Sequence, residues 1–220
     1  MVMERHVEAV IFDLDGTLVD TEPLHKRAWE IALAELGLEM PEADYTLHIS
    51  GRPGRDSCRD HFGMSLEEAV ATTELITLRY WELAAGNVEP LPGLTAFLDR
   101  LVGVPKAVAT SAVRASALRM LDELGLIAAF DAVVTADDIT HGKPHPEIYL
   151  TAAAKLVVAP ERCLVFEDAP AGIAAARAAG MTCVGITTTR RILEGAHHVI
   201  DGYEDERLVE LLTRMHVPDL

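Results

Sequence analysis

Two carboxylates one residue apart, Asp13 and Asp15, close an apolar run and precede a glycine in Val10-Ile11-Phe12-Asp13-Leu14-Asp15-Gly16-Thr17-Leu18. Side chains alternate along an extended chain, so both acids leave on the same side as the run Val7 to Phe12 ends. Like charges brought together at a strand end are costly unless something cationic lies between them. A hard divalent cation fits that need, and Mg²⁺ typically uses one or two carboxylates together with substrate phosphate. On these residues alone, a strand running into an Asp-Gly turn is the other reading.

Three later stretches carry groups of matching chemistry: Thr110-Ser111, the lone Lys143 of Gly142-Lys143-Pro144-His145-Pro146, and Glu167-Asp168 ahead of Ala169-Pro170-Ala171-Gly172. Each has a plain alternative, as helix caps, an exposed turn residue, or a solvated turn and cap. Taken together they suit a metal-bound phosphate. A carboxylate nucleophile can accept a phosphoryl group covalently and split one hard displacement into two. The rest of that reaction needs positioning and neutralisation of the phosphoryl oxygens, which Mg²⁺, Lys143, the Thr110 hydroxyl and helix amides can supply. Asp13 is placed to attack, and Asp15 to protonate the leaving oxygen and then activate water.

The elements that must position these groups fall into two kinds. Thr21-Glu22-Pro23 reads as a capped helix start, with Leu24, Ala28, Ile31, Ala32 and Leu36 at helical spacing and Gly37 as a C-cap. A second helix is predicted over Ser65 to Ala84, with Leu66, Ala69, Val70 and Thr73 on one face. Between them lies a glycine-rich loop, Ser50 to Ser57, that carries Arg52 and Arg55. After the linker Asn87 to Gly93 the pattern changes. Strand-like runs at 107–109, 132–135, 163–166, 183–186 and, weakly, 198–200 alternate with helical patterns at 94–101, 112–124, 147–156 and 171–179. This predicts an α/β fold, a mostly parallel sheet with helices on both faces, with a helical block inserted after the first strand. Residues 1–18 and 90–220 would form the core, and 19–89 the inserted domain. In open α/β sheets ligands bind at the carboxyl ends of the strands. Thr110 and Ser111 would then sit at a helix start whose free amides favour an anion.

Composition narrows the partners. Half of the 220 residues are apolar, enough for a sizeable core, and Asp plus Glu outnumber Lys plus Arg by 35 to 19, a net charge of −16. Such a field repels nucleic acid and anionic membranes, and any phosphate site must be locally cationic. Cys58, Cys163 and Cys183 have no C-x-x-C spacing and read as reduced core residues. The charged start of the chain lacks a signal-type apolar stretch, and no run is long enough to span a membrane, so a cytoplasmic location is expected. His145 and the His197-His198 pair read as turn and surface residues, for want of other soft ligands at useful spacing, and Trp29 and Trp81 as packing residues.

Asp13-Leu14-Asp15-Gly16-Thr17, Thr110, Lys143-Pro144 and Glu167-Asp168, in that order, resemble the four motifs of the haloacid dehalogenase superfamily. Gly142 to Tyr149 and Phe166 to Ile173 are similar to the branch that holds β-phosphoglucomutase, phosphoglycolate phosphatase and sugar phosphatases. The resemblance implies a Rossmann-like core with a small α-helical cap. It implies Asp13 as nucleophile and metal ligand, and Asp15 as acid/base with its backbone carbonyl on Mg²⁺. Thr110, Ser111 and Lys143 would hold the phosphate, with Glu167 and Asp168 completing the metal site. Dehalogenases of the superfamily lack the second aspartate, which favours phosphoryl transfer here.

Between phosphatase and mutase, the resemblance leans to the former. Mutases place a lysine before the cap-loop glycine, where this chain has Ser50, and Arg52 and Arg55 are displaced from the mutase arginine. Their polar run after the second motif is Ala112-Val113-Arg114 here, with only Arg114 polar. Thr21 and His25 match cap positions used to gate the acid/base and touch the sugar. The expected activity is a Mg²⁺-dependent phosphatase for a small phosphorylated metabolite, a sugar or polyol phosphate. The alternatives are a β-phosphoglucomutase-type mutase and a non-catalytic phosphometabolite-binding protein, though loss of Asp13 or Asp15 would mark the latter and both are present. No nucleic-acid or membrane partner is expected, and the assembly would be a monomer or weak homodimer.

Overall fold

The computed structural model describes residues 6–41, 44–49, 54–188 and 193–215, without the side chains of residues 46 and 47. Ser50 and Arg52 lie outside the described residues. The chain divides into two compact units, Met1–Asp20 with Glu89–Leu220, and Thr21–Val88.

The first unit is built on six parallel strands: β1 (Ala9–Phe12), β2 (Lys106–Ala109), β3 (Ala132–Val134), β4 (Cys163–Glu167), β5 (Thr182–Ile186) and β6 (His198–Ile200). Their order is β3-β2-β1-β4-β5-β6, that of a doubly wound Rossmann-type sheet. The chain builds outward from β1 on one side, then crosses back to place β4 on the other, with Ile11 opposite both Ala107 and Val165. The direction of winding therefore switches between β1 and β4, whose carboxyl ends carry Asp13 and Glu167.

β1, β4 and β5 are buried along their whole length, which explains runs that are apolar throughout rather than alternating. One sheet face, with Ile11, Ala109, Val165 and Cys183, packs on helices α6 (Glu147–Leu156) and α7 (Pro170–Ala178) through Ile148, Tyr149, Ile173 and Ala176. On the other face Phe12 stacks on Phe166 at 5.2 Å, and Phe97 of α4 (Leu94–Arg100) meets Phe166 edge-on and Tyr203 face-on. The other α-helices among the described residues of this unit are α5 (Arg114–Glu123) and α8 (Glu206–Arg214). Helix α8 was not expected, although Leu208, Leu211 and Leu212 bury one of its faces at helical spacing.

The second unit contains α1 (Glu22–Glu35), a π-helical turn (Tyr45–Ile49), α2 (Gly54–Asp60) and α3 (Leu66–Ala84). Helix α3 starts with a reciprocal cap: Glu68 N–H donates to Ser65 Oγ, and Ser65 N–H to Glu68 Oε2. Arg79 spans from α3 to α1, its guanidinium donating twice to Glu35 at 2.7 and 3.0 Å. Helix α2 replaces part of the expected loop and buries only Ser57 and Cys58. Leu66, expected on the packed face of α3, is exposed; Ala69, Thr72, Ile76, Tyr80 and Ala84 form that face instead. All three cysteines are free and buried, and no described helix is long and apolar enough to cross a membrane.

Candidate active site

The ladder between β1 and β4 continues one residue past Phe12, where Asp13 N–H donates to Phe166 O at 3.0 Å. This places Asp13 beside the end of β4. Beyond it the chain folds into a tight turn: Leu18 N–H donates to Leu14 O, and Gly16, at φ 77°, donates to Val19 O at 2.7 Å. A left-handed conformation there suits glycine, the residue that follows Asp15. Tyr203 supports the turn from beneath, its hydroxyl donating to Thr17 O at 3.0 Å.

Asp13, Glu167 and Asp168 are all buried, and each brings one carboxylate oxygen within 4.8 Å of the other two. Lys143 reaches them from the turn before α6. Its ammonium lies 2.5 Å from Asp13 Oδ1 and 2.6 Å from Glu167 Oε1, with the side chain only 8% exposed. Glu167 is held on every side: the Tyr149 hydroxyl donates to Oε1 at 2.9 Å and Ala169 N–H to Oε2 at 2.8 Å. Gly172, in the first turn of α7, lies so close that a Cβ there would stand 1.6 Å from Glu167 Oε1.

The electrostatics follow from three buried acids facing one lysine. Burial pushes the Asp13 carboxyl well above its ordinary range; Lys143 pulls it down, while Glu167, Asp168 and Asp15 push it further up. Burial disfavours the Lys143 ammonium, but Asp13 and Glu167 more than compensate and raise its pKa. The cluster is short of positive charge, and its donors are all hard oxygens. That donor set fits Mg²⁺, with Asp13, Glu167 and Asp168 as the residues that would hold it.

The other expected residues divide. Thr110 is buried at the carboxyl end of β2, next to β1, where its N–H extends the ladder to Val134 O and its Oγ1 accepts from Ala112 N–H at 3.0 Å. Neither Thr110 nor Ser111 begins a helix. Helix α5 starts only at Arg114, because the Thr110 side chain first closes a turn of its own. The half-buried Asp15 does not contribute its carboxylate to the three-acid cluster. Arg114 is drawn away to Asp138, with its guanidinium 2.5 Å from Oδ2 and its N–H on Asp137 Oδ2. In the second unit, Thr21 is buried at the foot of α1 and makes no hydroxyl cap to that helix. His25 stacks on Tyr80 with ring centroids 4.2 Å apart. Arg55 lines an open groove of about 390 Å³ with Val70, Thr73, Glu74 and Thr77. Sequence reasoning missed Tyr149 and Gly172, although a tyrosine on a helix face that faces the core signals a need for a polar partner.

The family model for haloacid dehalogenase-like hydrolases matches residues 7–180. The chain belongs to that family, and is an enzyme of its phosphatase kind. It is 39% identical to the validoxylamine A 7'-phosphate phosphatase of Streptomyces hygroscopicus subsp. limoneus, over 83% of this chain and 86% of that protein. It is 36% identical to the fructose-1-phosphate phosphatase YqaB of Escherichia coli (strain K12), over 84% of this chain and 98% of that protein. Among solved structures, CbbY from Rhodobacter sphaeroides in complex with phosphate superposes with a TM-score of 0.76 at 27% identity, covering 90% of this chain and 95% of that one.

Proposed function

We propose that this enzyme is a Mg²⁺-dependent phosphatase that releases inorganic phosphate from a small sugar or polyol phosphate through a phosphoryl group carried on Asp13. The observation that carries this reading is the bridge from Lys143 to both Asp13 and Glu167 inside the buried acidic cluster. It joins a nucleophile, a phosphate-binding cation and metal-ligating carboxylates in one place.

Mg²⁺ held by Asp13, Glu167 and Asp168 would supply positive charge to the phosphoryl oxygens, and the same charge favours the ionised Asp13 that attack requires. An Asp13 carboxylate oxygen forms a bond to phosphorus as the bond to the sugar oxygen breaks. Asp15 gives its proton to that leaving oxygen. As a carboxylate, Asp15 then takes a proton from water, whose oxygen attacks phosphorus, breaks its bond to Asp13 and frees phosphate. Lys143, Thr110 and Ser111 steady the phosphoryl oxygens. In a chain of net charge −16, Lys143 and a bound Mg²⁺ together would supply the local positive charge that a phosphate needs.

The two phosphatase relatives are named for action on validoxylamine A 7'-phosphate and fructose 1-phosphate, which supports a small phosphorylated metabolite as the substrate here. Hydrolysis is favoured over a mutase reaction because Arg114, the polar residue of the run Ala112-Val113-Arg114 that could meet a second phosphate, is engaged by Asp138. Phosphate release from a panel of sugar and polyol phosphates, with and without Mg²⁺, tests the reading. Mg²⁺-dependent release from some members is expected. No release from any member or from p-nitrophenyl phosphate, by folded protein, would refute it.

A further inference from the structure

The turn that carries Lys143 also gathers a second set of donors, outside the site described above. His141 and His145 side chains are 63% and 51% exposed, and their ring centroids lie 4.6 Å apart. Both Nδ1 atoms approach the same oxygen, Glu147 Oε2, at 2.9 Å from His141 and 3.7 Å from His145. One donor atom from each of the three residues lies within 4.8 Å of the others. Around a tetrahedral zinc ion, with bonds of about 2.0–2.1 Å, neighbouring ligand atoms stand about 3.3 Å apart. The two distances to Glu147 bracket that value.

The carboxylate is already oriented. Thr140 N–H donates to Glu147 Oε1 at 2.8 Å and His141 N–H to Oε2 at 2.9 Å, the kind of outer support that fixes metal ligands. The turn is closed by His145 N–H on Gly142 O at 3.0 Å. Those amide bonds explain why a glutamate opens α6. The rings have bonds of their own, His141 Nδ1 lying 2.9 Å from Oε2 and His145 Nδ1 accepting from Glu147 N–H at 3.3 Å, and a bound ion would take over both nitrogens. The i, i+4, i+6 spacing follows no helix face, because a turn rather than a helix brings the three together, and His145 read as a mere turn residue for that reason.

We propose that His141, His145 and Glu147 form a binding site for Zn²⁺, separate from the carboxylate cluster. Two imidazoles and one carboxylate are a borderline-soft set that suits zinc and is foreign to Mg²⁺. Zinc takes the place of the proton shared by His141 Nδ1 and Glu147, which passes to solvent. The exposed side of the cluster leaves a fourth position for water. A bound ion would tie together the two ends of the turn that presents Lys143.

Calorimetric titration with Zn²⁺ alone, in wild type, in the double variant His141→Gln/His145→Gln and in Asp13→Asn, separates this site from the acidic cluster. The wild type and Asp13→Asn should each bind one equivalent that the double variant loses or binds at least tenfold more weakly. The imidazole resonances of His141 and His145 should move together as that equivalent is added. Equal stoichiometry and affinity in wild type and double variant, with matching circular dichroism, would overturn the proposal. So would imidazole signals that zinc leaves in place.

Discussion

Lys143 Nζ stands 2.5 Å from Asp13 Oδ1 although 130 residues separate the two in sequence. Their meeting is a product of the winding order: β1 lies at the centre of the sheet, and the turn before α6 returns to its carboxyl end. The pair is buried, so removing one partner leaves the other's charge uncompensated. Lys143→Ala should lower stability by about 3–5 kcal/mol, read from urea melts without divalent metal. Mg²⁺ should restore part of that loss while turnover stays at least about a hundredfold down.

Gly172 tests how tightly Glu167 is held. A methyl group there would overlap Glu167 Oε1 and force the carboxylate or α7 to move. Gly172→Ala should cost about 1–3 kcal/mol, the usual price of overpacking. The Mg²⁺ concentration needed for half-maximal activity should rise at least tenfold. Unchanged Mg²⁺ dependence would show that Glu167 does not serve the metal.

The Asp15 side chain is assigned proton transfer, while its expected metal contact is through the backbone carbonyl, which an Asn substitution leaves in place. Asp15→Asn should therefore reduce turnover by roughly 10²–10⁴-fold, the ordinary worth of general acid/base help. Mg²⁺ binding measured by calorimetry should remain within a few fold. The loss should be smaller for a substrate such as p-nitrophenyl phosphate, whose leaving group needs little protonation.

Asp138 offers a prediction confined to stability. Burial opposes its ionisation, but the Thr135 N–H and hydroxyl and the Lys155 ammonium outweigh that and hold its carboxyl at about 2, below the ordinary 3.8. Between those values the unfolded chain binds a proton that the folded chain does not. The contribution is thus complete above about pH 4 and is lost as the pH falls towards 2. Asp138→Ala should cost about 1–3 kcal/mol at pH 7, and the difference from wild type should shrink in melts at pH 3. Turnover of the sugar or polyol phosphate should change less than about threefold.

Much of the fold is legible in the sequence because each strand is a short apolar run that ends at a polar group. Helix α6 begins and ends where its apolar pattern does, at Glu147 and Leu156. Other features depend on contacts that no local pattern encodes. Helix α2 buries only a serine and a cysteine, so it carries no apolar stripe. Thr110 and Ser111 resemble helix caps, yet the Thr110 hydroxyl binds Ala112 and delays α5 to Arg114. Arg114 looks available to a ligand until the fold brings Asp138, 24 residues on, against it. Tyr149 and Gly172 act on Glu167 only once α6 and α7 pack beside β4.

Trapping the phosphorylated enzyme tests the central claim most directly. Enzyme mixed with substrate and Mg²⁺, quenched in acid within a turnover and digested, should yield the peptide containing Asp13 with the mass of one added phosphoryl group. Asp13→Asn, folded by circular dichroism, should give neither that peptide nor phosphate release. A phosphoryl group on another residue, or wild-type turnover by Asp13→Asn, would contradict the account.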